Sequence, residues 1–344
     1  MGLTFEPLGK YVRQVDERNT NMVTESVLGI NIDKYFMPSV ANVIGTDLSN
    51  YKLLRKGRFA CNPMHVGRDG RLPVSRYTED TSAIVSPAYF MFEIIDENEI
   101  EPEYLMLCFR RPNFARKCWV RTDASVRGGI TWDDVCALTI PVPSLPEQRK
   151  IVHDYQVITD RIELLRKMNE NLVWQCDTIY RALTVGRDTN GKLAEIASVH
   201  SGKRPKNMES GDIPLLGAGG IMRYISAYNY DTPSLVIGRV GTHGVVQRSS
   251  KFWASDNTLV IVPKYYEFVF HILRGTDYAS LNRGSTQPLI TQGDIKALDI
   301  YIPEKEELDT FEQKTSSIMK CNSEYQKEIE LLERVQMLVI SHIS

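Results

Sequence analysis

Paired cysteines are missing from this chain. Its six cysteines, Cys61, Cys108, Cys118, Cys136, Cys176 and Cys321, stand singly with no Cys-x-x-Cys among them. That pattern argues against structural zinc and for a reducing compartment rather than a disulfide framework. The six histidines show no ligand spacing and no His-Glu-x-x-His, so no metal site is expected. Long apolar runs are missing too: nothing approaches the ~18 residues a membrane helix needs. The opening MGLTFEPLGK has no basic-then-apolar secretory layout. Nor does it have the Ser or Thr that myristoylation of Gly2 would require. A cytoplasmic chain with no membrane partner is therefore expected.

Net charge is also small, −2 over 344 residues, which at first argues against a nucleic-acid binder. The signs, however, are segregated. Between Tyr51 and Arg76 stand Lys52, Arg55, Lys56, Arg58, Arg68, Arg71 and Arg76 against Asp69 alone. From Arg110 to Arg127 the basic residues are Arg110, Arg111, Arg116, Lys117, Arg121 and Arg127, against Asp123 alone. Carboxylates gather near the end, from Glu304 to Glu333. Such segregation suits basic faces on globular parts joined by an acidic rod, and equally suits ordinary solvated loops.

What is present is a heptad seam. Ile151, Ile158, Leu165, Leu172 and Ile179 recur every seventh residue, with Tyr155, Ile162, Asn169, Cys176 and Leu183 four places on. Adding 160 to each number gives Phe311, Ile318, Tyr325, Leu332 and Val339, then Thr315, Asn322, Ile329, Gln336 and Ile343. Two helices of the same length and phase are predicted, each needing one partner along its length. Asn169 and Asn322 fall on the seams, where a polar residue costs stability and fixes register, or simply faces water at a loose spot. Ser144 and Glu147 have capping-box spacing, Pro146 falls in the first turn and Gly186 stops the helix. Roughly 37 residues of helix would span about 55 Å.

The repeat extends upstream of the helices. Ile130–Pro143 aligns with Ile290–Pro303, matching Asp134 with Asp294 and Ala137-Leu138 with Ala297-Leu298. Leu8–Tyr11 resembles Leu193–Ile196. The predicted plan is α/β (α+β): a first globule at 1–143, a long helix at 144–185, a second globule at 186–303 and a second long helix at 304–344. The two similar globules would be separated by antiparallel coiled-coil helices with pseudo-twofold repetition. Strands are expected at Val27–Ile32, Lys52–Cys61, Ala83–Ile95, Leu138–Val142, Ser234–Ile237, Gly244–Gln247 and Thr258–Pro263, with helices at Pro102–Phe109 and Phe268–Gly275.

Enzyme chemistry is not visible in the motifs. Asn62-Pro-Met-His65 resembles the Asn-Pro-Pro-aromatic motif of adenine methyltransferases but lacks the second proline and the ring that stacks on a flipped base. Gly238-Arg-Val-Gly-Thr-His-Gly244 is glycine-rich, yet strands flank it and no Lys-Ser/Thr follows, so it is not a phosphate loop. A turn that brings backbone close to a ligand suits it better, with Arg239 and His243 projecting. Tyr89, Phe90 and Phe92 read as core rather than as base-stacking residues.

Several stretches together resemble the specificity subunits of type I DNA restriction–modification systems. They are Ser144-Leu-Pro-Glu-Gln148 opening a long helix, Gly238–Val245, Phe252–Val260 and Gly284–Asp294 leading to Ile302-Pro303. The resemblance implies two target-recognition domains, each reading one half of a bipartite asymmetric site on double-stranded DNA. The helices between them would set the spacing and dock two modification (methyltransferase) subunits. S-adenosylmethionine, ATP and Mg belong to those and to motor–nuclease restriction subunits; this chain itself would hold no cofactor and no catalytic residue. The second junction, Pro303-Glu-Lys-Glu-Glu307, departs from the Leu-x-Glu-Gln form, so a weaker partner contact is expected there.

Base reading needs forked donors and amides. The candidate DNA-binding residues are Asn62, His65, Arg68, Arg71, Arg76, Arg121 and Arg127 in the first domain. In the second they are Arg204, Arg239, His243, Gln247, Arg248, Arg283 and Gln287. Two other classes of function stay open: a coiled-coil adaptor joining two protein-binding domains, and a stand-alone DNA methyltransferase or nuclease.

Overall fold

The computed structural model describes residues 4–40, 44–122, 128–206, 208–241, 243–281 and 289–343, the side chains of His65 and Arg68 excepted. Two long helices dominate, Leu145–Thr184 and Lys305–His342. They are not separate bodies. The chain divides into one unit of Met1–Leu164 with Ile329–Ser344 and another of Leu165–Glu328, so each helix gives one part to each unit.

In the first unit, the strands Val12–Gln14, Phe90–Ile94, Phe59–Cys61 and Val74–Arg76 form an antiparallel sheet in that order. Phe59 stacks on Phe92 at 5.1 Å between ring centroids, and Phe109 meets both edge-on. Phe109 comes from the helix Pro102–Arg110, which Arg111 joins to a second helix, Pro112–Val120. Prolines at the first position of each helix fit there because that N–H has no intrahelical partner. Ile151, Val152 and Tyr155 of the first long helix pack on this core together with Ile340 and Ile343 of the second. Within the unit the helices run antiparallel, with Gln336 Nε2 donating to Thr159 Oγ1 at 2.7 Å. Gln148, fully buried, fixes the helix start: it donates to the carbonyls of Glu99 and Pro143 and accepts from the Glu101 N–H.

In the second unit a six-stranded sheet runs Ala197–Ser201, Thr258–Pro263, Tyr230–Gly238, Gln247–Ala254, Ile213–Gly217, Gly220–Ile225. Its apolar face (Leu235, Ile237, Leu259, Ile261) is covered by the helix Tyr266–Gly275 and by Leu308 and Phe311 of the second long helix. Tyr180 of the first long helix packs on Phe268 and lies flat on His271 at 5.1 Å. Again the helices are antiparallel, with Asn322 donating to the Asn169 carbonyl at 3.3 Å. Glu312 accepts from the N–H groups of Glu267 and Phe268, capping the helix Tyr266–Gly275. Position 308, the repeat of Gln148, is a buried leucine.

The 160-residue repeat is structural. Phe5–Pro7 pairs with Thr139–Pro141, and Gly191–Lys192 pairs with Asp299–Ile300. Leu8 N–H donates to the Leu138 carbonyl and Leu193 N–H to that of Leu298. Thr131 caps the helix Trp132–Cys136 by accepting from Asp134 N–H, and Thr291 caps Gln292–Lys296 from Asp294 N–H. Inside this shared frame the two sheets differ.

The seam positions follow the heptad. Leu165, Ile162, Cys176, Phe311, Thr315, Ile329 and Ile343 are buried. Ile151, Ile158, Leu172, Ile179, Ile318, Tyr325, Leu332 and Val339 are half-buried. Elsewhere the strand expectations shift. Lys52–Cys61 divides into Lys52–Leu54 and Phe59–Cys61, because Gly57, at φ +89°, turns the chain between them. The strand expected at Gly244–Gln247 instead begins at Gln247 and runs to Ala254, since Gly241 and Gly244 both take positive φ. No helix among the described residues is long and apolar enough to cross a membrane.

Candidate nucleic-acid interface

In the first unit the candidate residues divide by what they already touch. Asn62 caps the short turn Pro63–His65, accepting from Met64 N–H at 3.0 Å and lying 3.4 Å from the Tyr89 hydroxyl. The Asn-Pro-Met-His stretch is thus a turn tied into the fold. Arg76 binds Glu103 at 2.7 Å, though its Nε is buried without a partner among the described residues. Arg121 lies 3.9 Å from Asp134 and Arg71 3.8 Å from Asp33, both well exposed and loosely held. Arg127 lies outside the described residues, as do the side chains of His65 and Arg68.

Cations not on the candidate list stand close to Arg71 and Arg121. A cavity of about 570 Å³ is lined by Lys34, Arg71, Arg110, Arg111 and Arg116, with Trp119 at its edge. A second, of about 530 Å³, is lined by Arg111, Arg116, Lys117 and Arg121. Lys34 is buried, in the left-handed region at φ +68°, and its ammonium donates to the Leu72 carbonyl. Burial, with the guanidinium groups of Arg71 and Arg110 nearby, pushes that ammonium down to about 8. Lys117 donates to the carbonyl and hydroxyl of Thr139, and burial beside Arg111 and Arg121 lowers it as well. The charge run Arg110–Arg127 was the sequence signal for this surface. What it lacked was Lys34, brought in from a distant loop.

In the second unit, Arg204 is exposed in the basic loop Gly202–Lys206 and has no hydrogen bond or ion pair among the described residues. The loop is pinned to the sheet: Gly202 N–H donates to Thr258, Lys203 N–H to Ala254, and the Trp253 indole to the Lys203 carbonyl. A Cβ on Gly202 would sit 2.0 Å from the Ser255 carbonyl oxygen, so only glycine fits. Arg239 and His243 share a loop that closes on itself. His243 Nδ1 lies 3.2 Å from the Gly238 carbonyl, and the Arg239 backbone bonds to Asn257 and Ile290. Arg239 Nε and His243 Nε2 are buried with no partner among the described residues, so both retain hydrogen-bonding capacity.

Gln247 and Arg248 are engaged internally. Gln247 Nε2 donates to the Gly217 carbonyl at 2.7 Å. Arg248 makes a forked pair with the buried Glu267, both bonds 2.6 Å, and its guanidinium lies 3.6 Å from the centre of the Phe270 ring. Arg283 and Gln287 lie outside the described residues. Missing from the sequence reading was the edge hairpin Ile213–Gly217/Gly220–Ile225, whose Ile221, Met222 and Tyr224 are exposed beside Arg223.

With this geometry in hand, comparison with known proteins is informative. Residues 189–335 match the family described as "Type I restriction modification DNA specificity domain". Over 134 residues the chain is 26% identical to the type I restriction enzyme EcoDI specificity subunit of Escherichia coli, a match covering 37% of this chain and 30% of that protein. A putative type I restriction enzyme specificity subunit of Haemophilus influenzae, S.HindORF215P, is 25% identical over 139 residues, 37% of this chain and 36% of that one. The match thus spans about a third of each curated relative. The solved S subunit of a type I restriction–modification system from M. genitalium superposes with a TM-score of 0.66 at 14% identity, covering 100% of this chain and 96% of that one. A chain from a structure concerned with complex assembly and conformational transition of the type I R-M system gives 0.52 at 15% identity, covering 99% and 97%. The likeness to the M. genitalium chain shows that the fold is that of a type I S subunit, and the family match falls on the second globule and most of the second long helix.

Proposed function

We propose that this chain is the noncatalytic DNA-recognition subunit of a type I restriction–modification complex, working in the cytoplasm. The observation that carries the reading is the match of residues 189–335 to a DNA specificity domain. The same strand-pair and Thr-capped-helix frame recurs in the other unit, its capped helix 160 residues earlier. Each unit then reads one half of a bipartite asymmetric site. Different sheets in the two units make different half-sites the natural expectation, and helix length sets the gap between them. Tethering turns the second reading event into an intramolecular one and multiplies weak single-site affinities.

The long helices also dock two methyltransferase subunits. Support comes from large apolar side chains exposed on them: Val157, Leu164 and Trp174 on the first, and Leu331, Met337 and Leu338 on the second. S-adenosylmethionine, ATP and Mg enter with the methyltransferase and motor–nuclease partners. Footprinting of the purified chain with its modification subunits on host DNA tests the reading. Two short protected tracts flanking an unprotected spacer are expected. A single continuous tract, or no protection at any salt concentration, refutes it.

A further inference from the structure

We infer that the first unit carries an oxyanion site, centred on Arg111, for a phosphate group of a nucleic-acid backbone or of a nucleotide. Arg111 stands at the elbow between the helices Pro102–Arg110 and Pro112–Val120, and it lines both basic cavities. It is 5% exposed, yet its side chain has no carboxylate and no hydrogen bond among the described residues. A guanidinium keeps its charge, and one so largely enclosed, with no carboxylate beside it among the described residues, favours an incoming anion.

The surroundings add charge of the same sign. Arg116 lines both cavities, is exposed and has no hydrogen bond or ion pair among the described residues. Lys34 and Lys117, one on each side, rest on neutral oxygens rather than carboxylates. Among the described residues Asp33 is the one acidic residue lining the first cavity, and none lines the second. The nine-residue helix Pro112–Val120 has no side-chain cap; Pro112 has no N–H and the Phe114 and Ala115 N–H groups bond to the Arg111 carbonyl, so the positive end of the helix dipole is offered through Asn113 alone. Trp119, 54% exposed at the edge of the first cavity, offers a ring face on which a base could stack. Volumes of about 570 and 530 Å³ are ample for a phosphate with an attached sugar and base.

The nucleic-acid arm of this inference rests on the DNA reading above; the phosphate arm does not. The test is calorimetric titration of the full chain with inorganic phosphate, with adenosine monophosphate and with a DNA duplex at several salt concentrations. Wild type is compared with Arg111→Gln and Arg116→Gln. If the ligand is a backbone phosphate, each variant weakens duplex binding about tenfold. The log–log salt slope then flattens by about one. If it is a free phosphate ester, adenosine monophosphate and phosphate binding fall while duplex binding holds. The site stands in either case. Failure of the wild type to bind duplex, with phosphate binding still lost in Arg111→Gln, would sink the DNA reading and leave the site intact. Unchanged binding of all three probes in both variants overturns the site. Melting temperature separates function from architecture: removing an uncompensated buried charge should hold or raise it. A marked fall in Arg111→Gln, with Arg116→Gln binding normally, assigns Arg111 a structural role and also overturns the site.

Discussion

Arg248 and Lys34 are both cations near the surface of their units, and they meet opposite fates. Arg248 finds a forked partner in Glu267 and an aromatic bed in Phe270. Replacing it with alanine strands a buried carboxylate, at a cost of about 3–5 kcal/mol. Adding Glu267→Gln should recover a large share of the loss, which denaturant unfolding of the single and double variants will check. Among the described residues Lys34 finds only a carbonyl. Its folded pKa, pushed down to about 8 from 10.5, means that the unfolded chain binds the proton more tightly. Stability therefore rises as pH climbs from about 8 to 10.5, and the charged form is a burden at neutral pH. Lys34→Met should add of order 1–3 kcal/mol at pH 7, with the advantage shrinking towards pH 10.5. Melting curves across that range would contradict the assignment if the variant were the less stable protein at pH 7.

At the scale of elements, the long helices take their buried positions from the heptad, because each seam residue needs only a partner helix alongside it. Leu165 is wholly buried and Phe311 nearly so, in contact with Phe268 and Tyr180. Leu165→Ala should cost about 2–5 kcal/mol and Phe311→Ala about 3–5. A loss under ~0.5 kcal/mol for either, by chemical denaturation, would show that side of the helix to be solvated. The helix caps were legible for a related reason. Thr131 with Asp134 and Thr291 with Asp294 act within four residues, so sequence spacing describes the contact completely. Strands were harder to read. The run Gln247–Ala254 is polar for half its length, and it becomes a strand because it lies between Tyr230–Gly238 and Ile213–Gly217. The helix Pro112–Val120 was missed because charged residues interrupt its apolar positions; only Phe114 and Cys118 are buried.

At the scale of the whole molecule, a duplicated frame carries two different sheets, and that difference is where specificity would lie. Arg239 belongs to the second unit and keeps a buried donor unused among the described residues. If each unit reads independently, Arg239→Ala should weaken recognition of one half-site and leave the other unchanged. Methylation mapping of paired half-site mutants in the assembled complex would measure this. Equal loss at both half-sites would contradict two independent readers. The departure at the second junction has a physical counterpart too. Gln148 turns inward to hold backbone groups, its repeat Leu308 fills an apolar core, and Glu312 takes over the work of capping the neighbouring helix.

Sequence alone determined the long helices, their phase, the 160-residue repeat and the α/β globules, because each depends on spacing along the chain. Tertiary structure alone decided which basic residues are free. Whether an arginine meets a carboxylate depends on residues brought in from elsewhere in the fold, as Glu267 is to Arg248. For Arg111 no such residue arrives among the described residues, and its enclosed, unpaired charge cannot be read from any local pattern.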